Sequence, residues 1–254
     1  MAKFDAYVIC TSPRSGSTLL IKLLAATGVA GEPKSYFHFT SITEWQEDLG
    51  LTADASKPER DILAEIFRTA ITKGSSGTGI FGLRLQRHSF DFFMRKLAVL
   101  HPGFSTDVER VEAAFGKTLF IHLTRTDKFE QAVSYVKAEQ SGLWHVAPDG
   151  SELERLSPPA SPVYNSDEIR ICYDRFVNSD RDWNSWFKTQ GIEPLRITYD
   201  ALSSAPNEGL RDTLDRLGLD ANAAKGVVPG VAKLADKTNQ EWVGRFRNLM
   251  DQKS

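Results

Sequence analysis

The chain has 254 residues, of which 41% are hydrophobic and 25% are charged, and its formal net charge is −2 at pH 7. This length and apolar content can bury the core of one α/β domain, and no repeat or low-complexity block divides residues 1–254. The near-balanced charge excludes the broadly basic surface with which proteins bind nucleic acid or anionic membranes.

The start of the chain and its two cysteines narrow the cellular setting. A strand begins a few residues after Met1 with no signal peptide before it, and no apolar run reaches the length needed to cross a bilayer. We therefore expect a cytoplasmic protein. Cys10 and Cys172 fall in apolar patterns of a strand and a helix, so we expect buried thiols and neither a disulfide framework nor a metal site.

The first predicted elements are a buried strand and a helix, joined by a turn of small residues. Ala6 to Cys10 is rich in β-forming residues, Pro13 and Gly16 mark the turn, and leucines from Leu19 to Leu24 recur at helical spacing. The backbone N–H groups of residues 15–18 would then be the unpaired donors of a helix start. Such a turn is typical of a site for phosphate or sulfate.

Side chains in this turn restrict the kind of anion. A Walker-type loop has a lysine directly after its second glycine, whereas here Arg14 precedes Gly16. The guanidinium can fork onto a phosphate or sulfate oxygen, and the hydroxyls of Ser15, Ser17 and Thr18 supply further donors. The alternative is that Ser15 or Ser17 merely caps the helix.

The rest of the chain alternates helices and strands, as a parallel sheet covered on both faces requires. We predict helices over residues 58–71, 90–99, 108–115, 128–138, 168–190 and 207–217, and strands over residues 79–85, 118–124 and 194–199. Thr106 and Glu109 form a candidate capping box for the third of these helices. The proline-rich residues 145–165 fit no regular element, so we expect a lid, an interface loop or a mobile segment there.

A second anion site is predicted at the end of the strand over residues 118–124. Arg125 follows this strand, where open α/β sheets bind ligands, and Asp127 is a candidate N-cap of the next helix. Ser134 lies nine positions after Arg125 and can reach the same side of a ligand once the turn folds back. In isolation Arg125 would be an ion-pair partner of Asp127, but the first loop favours a second anion site.

These two motifs resemble those of the sulfotransferases that use 3′-phosphoadenosine 5′-phosphosulfate (PAPS). Residues 25–33, Ala-Ala-Thr-Gly-Val-Ala-Gly-Glu-Pro, are similar more narrowly to the bacterial family typified by the mycobacterial trehalose 2-sulfotransferase. The resemblance implies a P-loop-like sulfotransferase fold, α/β in class, with a central and mostly parallel sheet flanked by helices in a single domain. It also implies a homodimer and a carbohydrate or glycolipid acceptor. It assigns the 5′-phosphosulfate of PAPS to the first loop and the 3′-phosphate to the second motif, through Pro13, Arg14, Ser15, Gly16, Ser17 and Thr18, and through Arg125 and Ser134.

The resemblance places the catalytic base in the segment from Gly31 to Asp48. Sulfuryl transfer needs an acceptor oxygen in line with the S–O bond that breaks, a base near that oxygen, and a cation such as Arg14 for the leaving group. In the family the base is a glutamate, but this chain has Ser35 there, which has no useful basicity near neutral pH. His38 is the first candidate to replace it, because imidazole is largely neutral at working pH, and Glu32 is the second. The alternatives are a mechanism that depends little on a base, and an ordinary loop role for His38.

Further acceptor contacts are expected around this segment. The resemblance places Glu32, with Pro33 beside it, against the acceptor. Arg84 stands where the family commonly carries lysine, which keeps the charge but changes the geometry near the transferring sulfate. Aromatic side chains in the segment have apolar faces that suit a sugar ring, with core packing as the alternative for each of them, namely Tyr36, Phe37 and Trp45.

Two later segments are candidates for further contacts with the ligands. Trp144 and His145 open the proline-rich residues and could close over the acceptor or form a dimer contact. Lys233 and Lys237 could reach the cofactor phosphates from the turn before the last helix.

Three functions fit these motifs. We favour a PAPS-dependent carbohydrate O-sulfotransferase over a nucleotide-dependent kinase. A kinase needs a Walker lysine after its glycine and a Mg²⁺-holding aspartate after a strand, whereas this chain has Arg14 before Gly16 and Arg125 after the strand. The third is a non-catalytic protein that binds a phosphoadenosine nucleotide, which Ser35 keeps open.

Overall fold

A four-stranded parallel sheet and a separate two-stranded hairpin contain the strands of the computed structural model, which describes residues 2–54 and 56–252. The strands are β1 (Ala6–Thr11), β2 (Phe81–Gln86), β3 (Thr118–Thr124), β4 (Leu143–Val146), β5 (Glu152–Arg155) and β6 (Leu195–Thr198). The order in the sheet is β2-β1-β3-β6 with every neighbouring pair parallel, and β4 pairs antiparallel with β5. All of β1 is buried, which fits the nearly continuous apolar run of its sequence.

Helices surround the sheet within these residues. Their bounds are α1 (Ser17–Ala26), α2 (Ile42–Leu49), α3 (Glu59–Ser75), α4 (Arg87–Leu100), α5 (Asp107–Phe115), α6 (Lys128–Ser141), α7 (Ser166–Thr189), α8 (Tyr199–Ser204), α9 (Pro206–Leu217) and α10 (Lys237–Asp251), with a short 3₁₀ helix at Ala221–Ala224. In the described part of the chain, none of them combines the length and the apolar character needed to cross a membrane.

Two core clusters lie on opposite faces of the sheet because the side chains of β1 alternate between them. Ala6, Val8 and Cys10 belong to a cluster with α3, α4, α5 and the last turns of α7. Tyr7 and Ile9 belong to the other, with α1 and α9. A third cluster joins α6, α7 and α10. Helices therefore cover both faces of a parallel sheet, and the predicted fold class is confirmed.

The predicted elements around the site are present with small shifts of their ends. The capping box before α5 is formed, because the Thr106 side chain accepts from the Glu109 backbone N–H while the Glu109 carboxylate accepts from the backbone of Thr106. Asp127 caps α6 through the backbone N–H of Glu130, as its position predicts. Both cysteines are buried, as their apolar neighbours predict.

The prediction that residues 145–165 hold no regular element was wrong for their first part. β4 and β5 form a hairpin across residues 143–155, and residues 156–165 carry neither helix nor strand. Prolines dominated the prediction, but Pro148 lies outside both strands, in the connection between them, where a missing N–H breaks no pairing. The short helices α2 and α8 were not predicted.

The sheet has its topological switch point at β1. Because β1 lies between β2 and β3, the turn that follows β1 opens into the crevice where doubly wound sheets bind ligands. The ends of β2 and β3 lie at the same edge, since all three strands are parallel. Arg14 and Arg125 are therefore brought to one end of the sheet by topology alone.

Candidate active site

The turn between β1 and α1, here called the anion cradle, has the geometry of an anion site. Gly16 is the N-cap residue of α1 with φ of 85°, and no side chain caps this helix start among the described residues. The alternative that Ser15 or Ser17 caps the helix is therefore wrong. The Ser15 hydroxyl instead bonds the Thr11 hydroxyl, and Ser17 accepts from Arg84. The backbone N–H groups at the start of α1 are left to meet a ligand.

Arg14 lies at the centre of the cradle and contacts the second motif. Its Nε donates to Ser134 Oγ at 3.0 Å, and its Nη1 donates to the Trp144 carbonyl at 2.6 Å. Burial and the nearby charge of Arg125 lower the pKa of Arg14 to about 10, against the opposing effect of Tyr199 and Glu154. Two like charges held this close favour a bound anion between them.

Arg125 is buried beside this position, with 7% of its surface exposed. Its guanidinium pairs with Glu130 and lies 4.7 Å from the centre of the Tyr199 ring. Its Nε has no hydrogen-bond partner among the described residues, although it is shielded from water. An unpaired buried donor is costly, so a ligand oxygen at this place would satisfy it.

A second line of residues holds the two motifs in position. Gln131 on α6 donates from Nε2 to Ser12 Oγ at 3.0 Å and to the Pro13 carbonyl at 2.7 Å, across the cradle. Lys128 donates from Nζ to the Arg125 carbonyl at 2.6 Å. Asp180 on α7 pairs with that ammonium. Helix α6 therefore fixes both anion positions relative to each other.

Arg84 connects the cradle with the segment after α1. At the end region of β2 its Nε donates to Ser35 Oγ at 2.6 Å, and its Nη1 donates to Thr18 Oγ1 at 3.1 Å and to Ser17 Oγ at 3.4 Å. Burial lowers the pKa of Arg84, with Glu154 opposing the shift. Ser35, which the resemblance places where the family has a glutamate, is thus held by the same arginine that reaches the cradle.

A cleft of about 890 Å³ is lined by Arg14, Arg84, Arg125 and Ser134. The cleft contains most of the predicted cofactor residues, while Ser15 lies behind its wall. It also contains Lys233, which the sequence suggested as a possible contact of the cofactor phosphates. His145, for which the sequence suggested at most closure, and Glu154 and Tyr199, for which it suggested no role, line the same cleft. Tyr199 begins the unpredicted α8, so no sequence signal indicated that its ring would pack on Gly16.

A second cavity of about 690 Å³ lies beside the first. It is lined by part of the predicted acceptor segment, and His38 lines both cavities. Glu32 faces the second cavity and pairs with Lys34 at 3.3 Å. Its wall includes the predicted acceptor residues Glu32 and Tyr36 and two residues predicted for the catalytic position, Ser35 and His38.

Three predicted acceptor residues face away from either cavity. Phe37 and Trp45 are fully buried, and their rings pack edge to face at 5.0 Å inside the core. Pro33 is buried against the backbone of Gly82. The expectation that these side chains contact a sugar is therefore wrong, and the packing alternative holds for both aromatic residues.

His38 carries a neutral imidazole at the boundary of the two cavities. Burial, His88 and Arg84 together lower its pKa to about 4. The His88 ring lies edge-on at 4.8 Å, and a hydrogen bond of 3.2 Å joins His88 Nε2 to the His38 carbonyl.

His145 lies deeper, on β4, against the cradle itself. Its Nε2 is 3.0 Å from Thr18 Oγ1 and 3.4 Å from a carboxylate oxygen of Glu154 on β5. Sequence reasoning treated it as part of a mobile cover because the hairpin was missed. The Asp149-Gly150 pair, a common turn signal between two short apolar or alternating runs, could have revealed that hairpin.

In the described residues, no group of three or more His, Cys, Asp or Glu side chains is arranged to hold a metal ion. Most of the charged groups that line the cleft are cations, which suits a bound anion, and they are Arg14, Arg84, Arg87, Arg125, Arg175 and Lys233.

A doubly wound parallel sheet with arginines gathered at its switch point defines an α/β protein whose cleft suits an anionic ligand. The model of the family described as Stf0 sulphotransferase matches residues 6–249, so the chain belongs to this family. The resemblance predicted from the sequence motifs is thereby confirmed.

Relatives support the same family. Two curated proteins named trehalose 2-sulfotransferase align over 259 residues, with 28% identity for that of Mycobacterium tuberculosis (strain ATCC 35801 / TMC 107 / Erdman) and 29% for that of Mycolicibacterium smegmatis (strain ATCC 700084 / mc(2)155). Each alignment covers 95% of this chain and 94% of the relative. Among solved structures, the sulfotransferase domain from the Synechococcus PCC 7002 olefin synthase has a TM-score of 0.50 at 16% identity, covering 95% of this chain and 86% of the other. That likeness concerns the fold.

Proposed function

We propose that this protein transfers the sulfuryl group of PAPS to a hydroxyl group of a carbohydrate or glycolipid. The observation that carries the proposal is the convergence of Arg14, Ser134 and Arg125 on one cleft at the switch point. A nucleotide with phosphate groups at both ends needs two such anion positions. Membership of the family and the names of its curated relatives support a carbohydrate acceptor.

The residues of the cleft fit PAPS as donor. The backbone N–H groups at the start of α1, with Arg14 and Thr18, are proposed to hold the 5′-phosphosulfate. Arg125 and Ser134 are proposed to hold the 3′-phosphate, and the unpartnered Nε of Arg125 supports this role. The bound donor supplies an activated sulfuryl group, and the arginines stabilise the charge that develops on the leaving phosphate.

The second cavity is proposed to hold the acceptor. It adjoins the cleft at His38, so an acceptor hydroxyl lying there can point toward the sulfuryl end of the donor. Glu32 and Lys34 offer acceptor and donor groups for sugar hydroxyls, and Tyr36 adds an aromatic wall. His38 and Glu32, the two residues that the sequence suggested as replacements for the base, both line this cavity.

Ligand-dependent thermal stability tests the donor. We expect 3′-phosphoadenosine 5′-phosphate (PAP) to raise the melting temperature, because a ligand that binds only the native state stabilises it by about 2.7 kcal/mol at a concentration of 100 times Kd. Arg14→Ala and Arg125→Ala should each weaken PAP binding by roughly 1.5 to 3 kcal/mol, or about 10- to 150-fold. Arg245→Ala, which removes an exposed arginine paired with Glu241 on α10, is the matched control and should bind PAP like wild type.

The same experiment separates the other candidate functions. A melting shift with ATP and Mg²⁺ but none with PAP would point to a kinase and refute the proposal. If PAP binds but no sulfate moves from PAPS to trehalose, glucose or a glycolipid extract, the protein is a non-catalytic nucleotide binder. Wild-type affinity in both arginine variants would reject the two anion positions.

A further inference from the structure

His145 lines the cleft, but none of the donor and acceptor contacts proposed above involves it. It lies on β4, and its Nε2 is 3.0 Å from the hydroxyl of Thr18 in the anion cradle. Glu154, across the hairpin on β5, has a carboxylate oxygen 3.4 Å from the same nitrogen. The imidazole therefore stands between the sulfuryl end of the cradle and a carboxylate.

Hydrogen bonds connect this imidazole to the serine that replaces the family's glutamate. Arg84 donates to both Ser35 and Thr18, at 2.6 and 3.1 Å. A guanidinium can only donate, so the Thr18 hydroxyl accepts from Arg84 and keeps its own proton for a further bond. Nε2 of His145 is the acceptor within reach, which leaves that nitrogen unprotonated and directed at the cradle.

The charges around His145 keep it neutral while no anion is bound. Burial, Arg14 in the cradle, Arg84 on β2 and Lys22 on α1 lower its pKa to about 3. Glu154 on β5 is the negative group that faces it. A phosphosulfate in the cradle would neutralise Arg14 and Arg84, which line the cleft, and take over the Thr18 hydroxyl. Binding of the donor would therefore free Nε2 and make it more basic.

We propose that His145 is the general base of sulfuryl transfer in this protein, an inference that rests on the proposed function. Nε2 takes the proton of the acceptor hydroxyl as the oxygen of that hydroxyl forms a bond to sulfur. The S–O bond to the 5′-phosphate breaks, and its electron pair leaves with the phosphate of PAP. Glu154 stabilises the resulting imidazolium. The base acts only when the donor is bound, which keeps it from being protonated earlier by solvent.

His38 provides a matched imidazole for comparison. It lies at the acceptor cavity beside His88, and its ring is likewise neutral. If His145 is the base, the wall position of His38 predicts that His38→Gln acts mainly on the KM for the acceptor and lowers kcat less than His145→Gln does. His145→Gln keeps a group that can accept from Thr18 but cannot take a proton, so it should lower kcat by about 100-fold or more.

The first measurement does not depend on turnover. The ring signals of His145, assigned with His145→Gln, are followed by NMR between pH 5 and 8 with and without PAP. We expect a neutral, non-titrating ring in the free protein, where its pKa is about 3, and a titrating ring in the PAP complex, with its pKa raised by roughly two units or more. A ring that stays neutral at pH 5 in the complex would overturn the donor-dependent base.

The second measurement is PAP release from PAPS with trehalose, glucose and the glycolipid extract as probe acceptors, using the one that wild type turns over. Loss of kcat in His145→Gln with unchanged PAP affinity, and partial rescue of His145→Ala by added imidazole, support the assignment. A kcat within a few-fold of wild type in His145→Gln, or a larger loss in His38→Gln, refutes it. If wild type binds no PAP and turns over no probe, the proposed function itself has failed.

Discussion

Gly16 has two separate reasons to lack a side chain. Its φ of 85° is in the left-handed region, and a Cβ added there would collide with the ring of Tyr199. The same ring lies under the guanidinium of Arg125, so any displacement moves the second anion position as well. We expect Gly16→Ala to lower stability by more than the 1 to 2 kcal/mol that roughly measures left-handed strain, and to weaken PAP binding.

Gly28 provides the control for that substitution, since its φ of 67° is also left-handed but a Cβ would meet nothing within 4 Å. Gly28→Ala should show the backbone strain alone, with PAP binding unchanged. Denaturant unfolding and a PAP titration of the two variants measure both effects. Equal stability losses and equal PAP affinities would mean that Tyr199 moves aside freely.

For single residues, the sequence predicted which side chains lie at the anion cradle better than it predicted which side chains are buried in the core. Arg14, Ser17 and Thr18 were predicted for the cradle because local spacing places them at a helix start. Phe37 and Trp45 were misplaced, since a run of aromatic residues carries no signal that tells a core from a sugar-binding wall. His145 was undervalued for a related reason: its partner Thr18 is 127 positions away, and only the folded chain brings them together.

Among the secondary-structure elements, α6 has the closest control over the anion cradle. Gln131 is fully buried and ties the helix to Ser12 and Pro13 through two hydrogen bonds. We expect Gln131→Leu to lower stability by about 1 to 3 kcal/mol, because it strands buried polar atoms of the turn. PAP affinity should fall with it, since the cradle loses the contact that sets its distance from Arg125.

A glutamine two turns later on the same helix is the control. Gln140 accepts from the Val163 backbone N–H at 2.8 Å and donates to Glu168 at 2.8 Å, far along the helix from the cradle. Gln140→Leu should affect stability without changing PAP affinity in isothermal titration. If both variants bind PAP like wild type, α6 does not position the cradle.

Helices and strands that are marked by a pattern within a short stretch of sequence were predicted, and those without such a pattern were missed. β1, β3 and α5 follow from an apolar run, a buried run and a capping box, all readable within a dozen residues. The hairpin of β4 and β5 has mostly exposed or half-buried residues, so its alternation is weak and its proline-rich continuation dominated the pattern. α2 and α8 are too short to develop a helical period.

Over the whole molecule, charge is distributed unevenly although the total is −2. Arg14, Arg84 and Arg125 gather at one edge of the sheet, and burial lowers the pKa of the first two. Anion affinity and ligand-free stability are therefore opposed in this fold, because the folded chain confines like charges that a bound donor would neutralise. Composition predicted that the basic residues that matter would be local, but not which three would meet.

All five histidines have a lowered pKa in the folded chain, and this lowers the free energy of unfolding of the whole protein in acid. Burial lowers the pKa of each of them in the folded chain, with values of about 4 for His38 and His122 and about 3 for His145. The unfolded chain then binds more protons between its ordinary histidine pKa near 6.5 and the folded values. The contribution of the histidines to stability is therefore full above pH 6.5 and is lost as the pH falls toward 4.

His122 offers the sharpest test of that loss, because only 3% of it is exposed and its Nε2 has no hydrogen-bond partner in the described residues. Arg196 lies 3.3 Å from its Nδ1, so His122→Asn can keep an acceptor for that arginine while removing the titration. We expect the free energy of unfolding, measured with urea between pH 4.5 and 7.5, to fall less steeply with decreasing pH in the variant than in wild type. The difference in slope should be up to about 1.4 kcal/mol per pH unit. His101→Asn, at the end of α4, removes a less buried imidazole and should flatten the decline less. Parallel curves for wild type and His122→Asn would mean that His122 is protonated as readily in the folded chain as in the unfolded one.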